Sequence, residues 1–218
     1  MRSCASSLLV AALALAGAGP AAAQVAGLPV FNSGVDRGLT VAGDVGFAND
    51  AGPDGTAWGL SAMVGLGRVG VTATVARFDP DARGAKASTS MGGAFHWKAI
   101  GGPLVPFAVH LQAGLGYRSL ESGTGTGGSE LRVPVGLGLA ATIPSPVASL
   151  KPWVAPRADI RRTTSNGSSD TETRVGVSAG VDLGFIFGLG LRAAYDVIRV
   201  SGKDPSTFSL GAAYGFRL

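Results

Sequence analysis

The residues best able to do chemistry are two histidines, His96 and His110, because an imidazole is the side chain that moves protons or binds metals near neutral pH. Each sits in a run whose residues alternate in character. His96 shares parity with Gly92, Ala94 and Lys98, and His110 with Ala108, Gln112, Gly116 and Arg118, while large apolar residues hold the opposite parity. If the two runs form a hairpin turning near Gly102, the imidazoles stand one diagonal step apart, a gap that long side chains bridge. A metal centre needs further ligands, none of which is close in this layout, so no metal is expected. Asp44 and Ser61 are the other pair of interest, expected to lie opposite one another on neighbouring strands. A hydroxyl becomes a nucleophile when a base stands beside it and a third group orients that base. No histidine falls beside this pair. The imidazoles therefore read as interior hydrogen-bonding groups, and the chain as a non-enzyme without a cofactor.

The charged residues of inward parity carry more information: Asp44, Lys98, Arg118, Arg132, Arg174, Asp182, Arg192, Asp196 and Arg217. Charges in a narrow interior need partners, and Asp182 would meet Arg192 across a hairpin turning at Phe187. Two arrangements stay open. One is a salt-bridged plug; the other is a narrow pore in which Arg118, Arg132 and Arg174, near one mouth, form a cationic ring that favours anions. Arg77, Arg161 and Arg199, at strand ends on that same side, are placed to meet lipopolysaccharide phosphates through bidentate contacts. Asn166 opens an Asn-Gly-Ser triplet that reads as a turn rather than a glycosylation site.

The elements that must position these residues are strands. From residue 208 to 218, Phe208, Leu210, Ala212, Tyr214, Phe216 and Leu218 alternate with Ser209, Gly211, Ala213, Gly215 and Arg217, which is period two. A run of about 9 to 11 residues is what a tilted strand needs to cross the hydrocarbon layer. The same alternation recurs over residues 39–47, 58–66, 69–75, 91–98, 107–118, 131–143, 175–185 and 189–197. The run 152–162 leaves open whether Trp153 or Val154 faces outward, and its two prolines, Pro152 and Pro156, suggest a bulge. The count is ten strands, with eight as the alternative. Polar, glycine-rich links at 49–56, 79–86, 119–129, 164–171 and 201–206 alternate with short links near Gly67, Gly101, 144–150 and Gly188.

Composition says what kind of surface these strands present. The chain is 46% apolar with 35 glycines, only 15% charged residues and a mean hydropathy of +0.32. A soluble domain carries about 25% charged residues. The uncharged run 133–150, the nearest candidate for a membrane helix past residue 24, is broken by Pro134, Pro144 and Pro146, which argues against a helix. Only helices and closed barrels satisfy every backbone hydrogen bond in lipid, so the reading is an all-β, closed, antiparallel, up-and-down transmembrane barrel. Residues 1–23 have the order of a cleaved secretory signal: Arg2, an apolar stretch from Leu8 to Ala16, then Ala21, Ala22 and Ala23 before Gln24. Cys4 leaves with the leader, so no disulfide is expected. Residues 24–38 lack alternation and are expected to be a periplasmic lead-in, or else a short insertion into the lumen. Residues 39–218 form the barrel. The net charge of +4 falls to +3 once Arg2 is removed, too mild for a nucleic-acid footprint.

With its leader, its strand layout and the terminal segment 210–218, the mature chain resembles the outer-membrane protein β-barrel superfamily along essentially all its length. That resemblance implies an outer-membrane location, contact with membrane lipid and lipopolysaccharide, and recognition of Tyr214, Phe216 and Leu218 by the barrel-assembly machinery; members usually end in an aromatic residue, whereas this chain ends in Leu218. Barrel enzymes of that superfamily, such as omptin proteases and lipid A acylases, place histidine with Asp, Ser or Glu toward the outer rim, and no such constellation stands here. The expected function is a structural or passively permeable barrel, with a narrow anion-preferring pore or an outer-surface adhesin barrel as alternatives.

Overall fold

The structure, a computed structural model, describes residues 26–49, 54–102, 105–120, 128–165, 167–199 and 204–216. The leader, the turn expected at Asn166, and the sites expected at Arg217 and Leu218 lie outside the described residues. Ten strands follow in chain order: β1 (Gly38–Asn49), β2 (Gly55–Gly65), β3 (Val69–Pro80), β4 (Ser88–Gly102), β5 (Val105–Leu120), β6 (Gly128–Ala141), β7 (Ala148–Ser165), β8 (Ser168–Phe185), β9 (Leu189–Arg199) and β10 (Ser206–Phe216). A two-residue ladder, Ile143–Pro144, pairs with Leu150 and Ser149 at the foot of β7. Each strand pairs antiparallel with its neighbours in sequence. β1 pairs with β10, with Leu39 opposite Phe216 and Asn49 opposite Ser206, so the sheet closes on itself as a ten-strand up-and-down barrel. Closure removes both sheet edges, which is what lets strands stand in lipid without unpaired backbone groups. Both ends of the barrel lie on the rim that carries the short turns, which in outer-membrane barrels is the periplasmic one.

Alternation decides which way each side chain points. Val71, Phe95, Leu137, Leu139, Tyr195 and Leu210 are exposed around the outer wall, whereas their sequence neighbours turn inward. A soluble monomer rarely leaves a contiguous apolar patch larger than a few hundred Å² in water, so a continuous belt of this kind belongs in lipid. Leu137, at the centre of the outward apolar run from Leu131 to Ile143, tests that assignment. Leu137→Arg is expected to cost roughly 2–4 kcal/mol in unfolding from bilayers, the penalty for a cation at the membrane midplane. In denaturant titrations, a cost near zero would mean that this face meets water.

The strand set matches the alternation read from sequence, with three differences. First, β8 begins at Ser168 rather than near Val175, and the link expected at 164–171 shrinks to a tight turn because Ser165 pairs with Ser168. Thr163, Thr164, Ser169 and Asp170 are polar on both faces, so apolar alternation cannot register them, although Thr164 Oγ1 and Ser169 Oγ lie 3.1 Å apart across the ladder. Second, β7 pairs with β8 without any register shift despite Pro152 and Pro156. Val154 faces out and Trp153 in, and the irregularity lies instead in β4, between Lys98 and Gly102. Third, Asp44 stands opposite Gly59, while Ser61 stands opposite Ala42. The β1–β2 register is two residues away from the expected one.

The lumen is not empty. Residues 26–37 run through it from the outer half to the periplasmic rim before reversing into β1, so this segment is an insertion and not a periplasmic lead-in. At its upper end the Ala26 amide donates to Ser90 Oγ at 3.1 Å. At its lower end Asp36 meets Lys151 at 2.8 Å and Lys98 at 3.5 Å. Twelve residues of extended chain reach about 40 Å, ample for that path. Three apolar side chains anchor it, each at the centre of its own cluster: Leu28 among Ala57, Ala76 and Phe78; Phe31 among Ala140, Trp153, Ala155 and Ala194; and Val35 beside Ala42 and Met63. The wall makes room by being small. A Cβ on Gly46 would collide with the Gly27 carbonyl oxygen, and Gly34, at φ 85°, presses its backbone against the His110 ring.

Candidate functional site

The deepest polar feature is an ion network in mid-lumen built around Arg157. Period two along β7 turns Ala155, Arg157 and Asp159 inward, and all three are buried. The Arg157 Nε donates to Asp159 Oδ2 at 2.8 Å, and its Nη1 and Nη2 donate to Asp196 Oδ1 and Oδ2, both at 2.9 Å. Arg132 reaches Asp159 from β6 with two hydrogen bonds, 3.0 and 2.7 Å. Ser178 accepts a hydrogen bond from Arg157 at 3.0 Å and donates to Asp196 Oδ1 at 2.5 Å. Fork-to-fork pairs of this kind are the strong class of charge-assisted hydrogen bond, and complete pairing is what makes so buried a cluster tolerable. The network also grips the lumen segment, since the Val30 amide donates to Asp196 Oδ1 at 3.3 Å and the Phe31 amide to Ser178 Oγ at 3.4 Å.

Above this lies an outer vestibule of about 180 Å³, floored by Ala26, Gly27 and Leu28. Arg118, Arg132 and Arg174 all reach it, as expected, but none of them is a bare cation. Arg118 pairs with Glu130 at 2.8 Å, Arg132 with Asp159, and Arg174 with Glu172 at 2.7 Å. An open cationic ring does not form, because each arginine has a carboxylate within two residues or across one strand pair. Arg161, expected at the lipid-facing rim, turns inward instead and meets Glu130 at 3.2 Å. Arg77 and Arg199 do stay on the outer surface, beside Asp79 and Asp204.

The histidine wall is as the alternation implied. Lys98 pairs with His110 and His96 with Gln112, which sets the imidazoles one diagonal step apart. His96 Nε2 and Thr72 Oγ1 are 2.9 Å apart, and Gln112 Nε2 donates to the Asn32 carbonyl at 3.1 Å. A hydroxyl beside an imidazole is half of a nucleophilic site, but His96 Nδ1 has no partner and so no acid orients the ring. His96, Thr72, Asp44 and Ser61 line one cavity of about 60 Å³, together with Pro29 to Asn32 of the lumen segment, and it has room for water. Asp44 is held by Arg192 Nε at 3.2 Å. Asp182 does stand opposite Arg192, as the hairpin required, and Lys151 stands opposite it on the other side. Arg192 nevertheless reaches across β10 to Asp44 on β1 for its carboxylate. Among the described residues no group of three or more His, Cys, Asp or Glu is arranged to hold a metal ion. Tyr214 and Phe216 are exposed at the foot of β10, their rings edge-to-face with centroids 4.9 Å apart.

No family model and no curated protein matches the sequence. Solved structures do. The β domain of the Bordetella autotransporter BrkA is similar over 83% of this chain and 100% of its own length, with a TM-score of 0.51 at 13% identity. The chain has the fold of a small outer-membrane β-barrel. The Yersinia pestis attachment invasion locus protein Ail matches over 83% of this chain and all of its own, at 17% identity and a TM-score of 0.38. The Escherichia coli outer-membrane protease OmpT matches over 83% of this chain and 94% of its own, at 9% identity and a TM-score of 0.41.

Reasoning from sequence missed Arg157, Asp159, Glu130 and the lumen-facing Arg161. The signal for three of them was present. Once Val154 is set outward, parity carries Arg157, Asp159 and Arg161 into the lumen; the two prolines had obscured that parity.

Proposed function

We propose that this protein is a non-catalytic outer-membrane barrel, exported by its leader and held shut by its own N-terminal segment, so that solute permeation requires displacement of residues 26–37. The observation that carries this reading is the continuous passage of that segment through the lumen, anchored at three apolar clusters and at both ends. A ten-strand barrel lies near the size that side chains alone fill, so one extra extended chain is enough to close it. The absence of an oriented base at Thr72 and His96 supports a non-enzymatic role. Tyr214 and Phe216, outward at the end of the last strand, are the surface we assign to recognition by the barrel-assembly machinery, and Arg77 and Arg199 are suited to lipopolysaccharide phosphates. The test is direct. Full-length protein expressed with its own leader is expected to fractionate with outer membranes, to migrate differently on gels before and after boiling, and to give no conductance steps in planar bilayers. Sustained conductance from the intact chain would overturn the closed-barrel reading, and recovery in the soluble periplasmic fraction would overturn the membrane one.

A further inference from the structure

Among the described residues, the outer vestibule holds more positive charge than its carboxylates neutralise. Arg118, Arg132, Arg161 and Arg174 enter it from four consecutive strands, β5 to β8, each with a guanidinium largely shielded from solvent. The register sets Arg132 directly opposite Arg161, and like charges so placed destabilise a strand pair unless something lies between them. Among the described residues nothing does so fully. Glu130 is shared between Arg118 and Arg161, and Asp159 between Arg132 and Arg157. With Arg157 included, five guanidiniums of the described residues face four carboxylates: Glu130, Asp159, Glu172 and Asp196. The shortfall has a location. Arg161 Nε, although 3.2 Å from Glu130 Oε1, makes no hydrogen bond and is buried without another partner. An unpaired buried donor on a cation that shares its only carboxylate is costly, and an anion in the space beside it relieves both costs.

We propose that the vestibule is a binding site for one tetrahedral oxyanion group, a phosphate or sulfate, held chiefly by Arg161 with Arg132 and Arg174. The guanidinium fork matches such a group bidentately, which an ammonium does not. The cavity is walled by Asn49 and residues 205–207 at the outer ends of β1 and β10, and its floor is the lumen segment packed on Phe78. It is therefore a blind pocket served from the outer mouth and not a stage of a channel. The site accepts either a free ion or a phosphate carried on an outer-leaflet sugar.

The experiment is calorimetric titration of detergent-refolded full-length protein with inorganic phosphate, with sodium sulfate, and with glucosamine 1-phosphate, at fixed ionic strength. Saturable binding is expected, weakened roughly 10-fold or more in Arg161→Gln, since a hydrogen bond to a charged group is lost. Arg68→Gln, an exposed arginine in the turn at the opposite rim, is expected to bind like the parent protein. Tighter binding of the sugar phosphate than of phosphate assigns the site to a headgroup; equal binding assigns it to the free ion. No saturable heat with any of the three probes, or undiminished binding in a correctly folded Arg161→Gln, would overturn the proposal. Should Arg161→Gln lose its heat-modifiable migration, Arg174→Gln takes its place, with the same loss expected.

Discussion

Deletion of residues 26–36, leaving the leader, its cleavage point and β1 intact, is expected to turn a silent protein into one that gives discrete conductance steps in planar bilayers. The change is from none to many, because the segment runs the length of the lumen and no second element among the described residues duplicates it. The barrel should survive the loss. Its strands hold one another through ladders in which the segment takes no part, and the apolar belt still faces lipid. Removing Leu28, Phe31 and Val35 forfeits three buried side chains, each worth about 1.5–3 kcal/mol. Against that, the polar groups left behind are not stranded: Ser90, Ser178, Asp196 and Gln112 would face a channel that water enters, and water is nearly as good a partner as the backbone it replaces. Lys98 and Lys151 lose Asp36, but water entering the emptied lumen takes its place as their partner. Heat-modifiable migration of the deleted protein establishes that it is folded. A folded, deleted barrel that stays silent would mean that the wall side chains close the lumen unaided.

Replacement of Arg157 by alanine is expected to be the most destabilising single change. Its guanidinium is fully buried and engages Asp159 at 2.8 Å and Asp196 at 2.9 Å. Asp159 keeps Arg132, but Asp196 is left with Ser178 and the Val30 amide and no cation. Breaking a buried pair from one side costs about 3–5 kcal/mol, because the surviving charge remains desolvated. Urea titration of protein refolded into vesicles would read this as an early unfolding midpoint. Removing both charges together, in Arg157→Met with Asp196→Leu, should recover much of the loss, since the cost lies in the orphaned carboxylate and not in the absent attraction. Equal losses in single and double variants would mean instead that the network's geometry holds β7 and β9 in register. Arg199→Ala, exposed on the surface, is the control and should stay within about 0.5 kcal/mol.

What the sequence by itself determined was everything that follows from period two. The ten strands, their order, the outward belt of Phe95, Leu137 and Leu210, and the inward placing of His96, His110, Gln112, Arg118, Arg132, Arg174, Asp182 and Arg192 all rest on the pleat, which sends alternate side chains to opposite faces wherever a strand runs. Even the Asp182 and Arg192 register followed from a turn centred at Phe187. Partners were another matter. Arg192 bonds Asp44, which is adjacent only because β10 closes on β1, and Arg157 meets Asp196 across two ladders. Those pairings depend on barrel closure and on the shear between distant strands, for which local alternation carries no signal. The lumen segment is the plainest case. Residues 26–37 have no period because each contacts a different wall, and their apolar residues Leu28, Phe31 and Val35 are spaced to fit gaps left by glycines and alanines on strands far away in the chain. Only the closed cylinder creates those gaps, so only the tertiary structure could decide that the segment fills it.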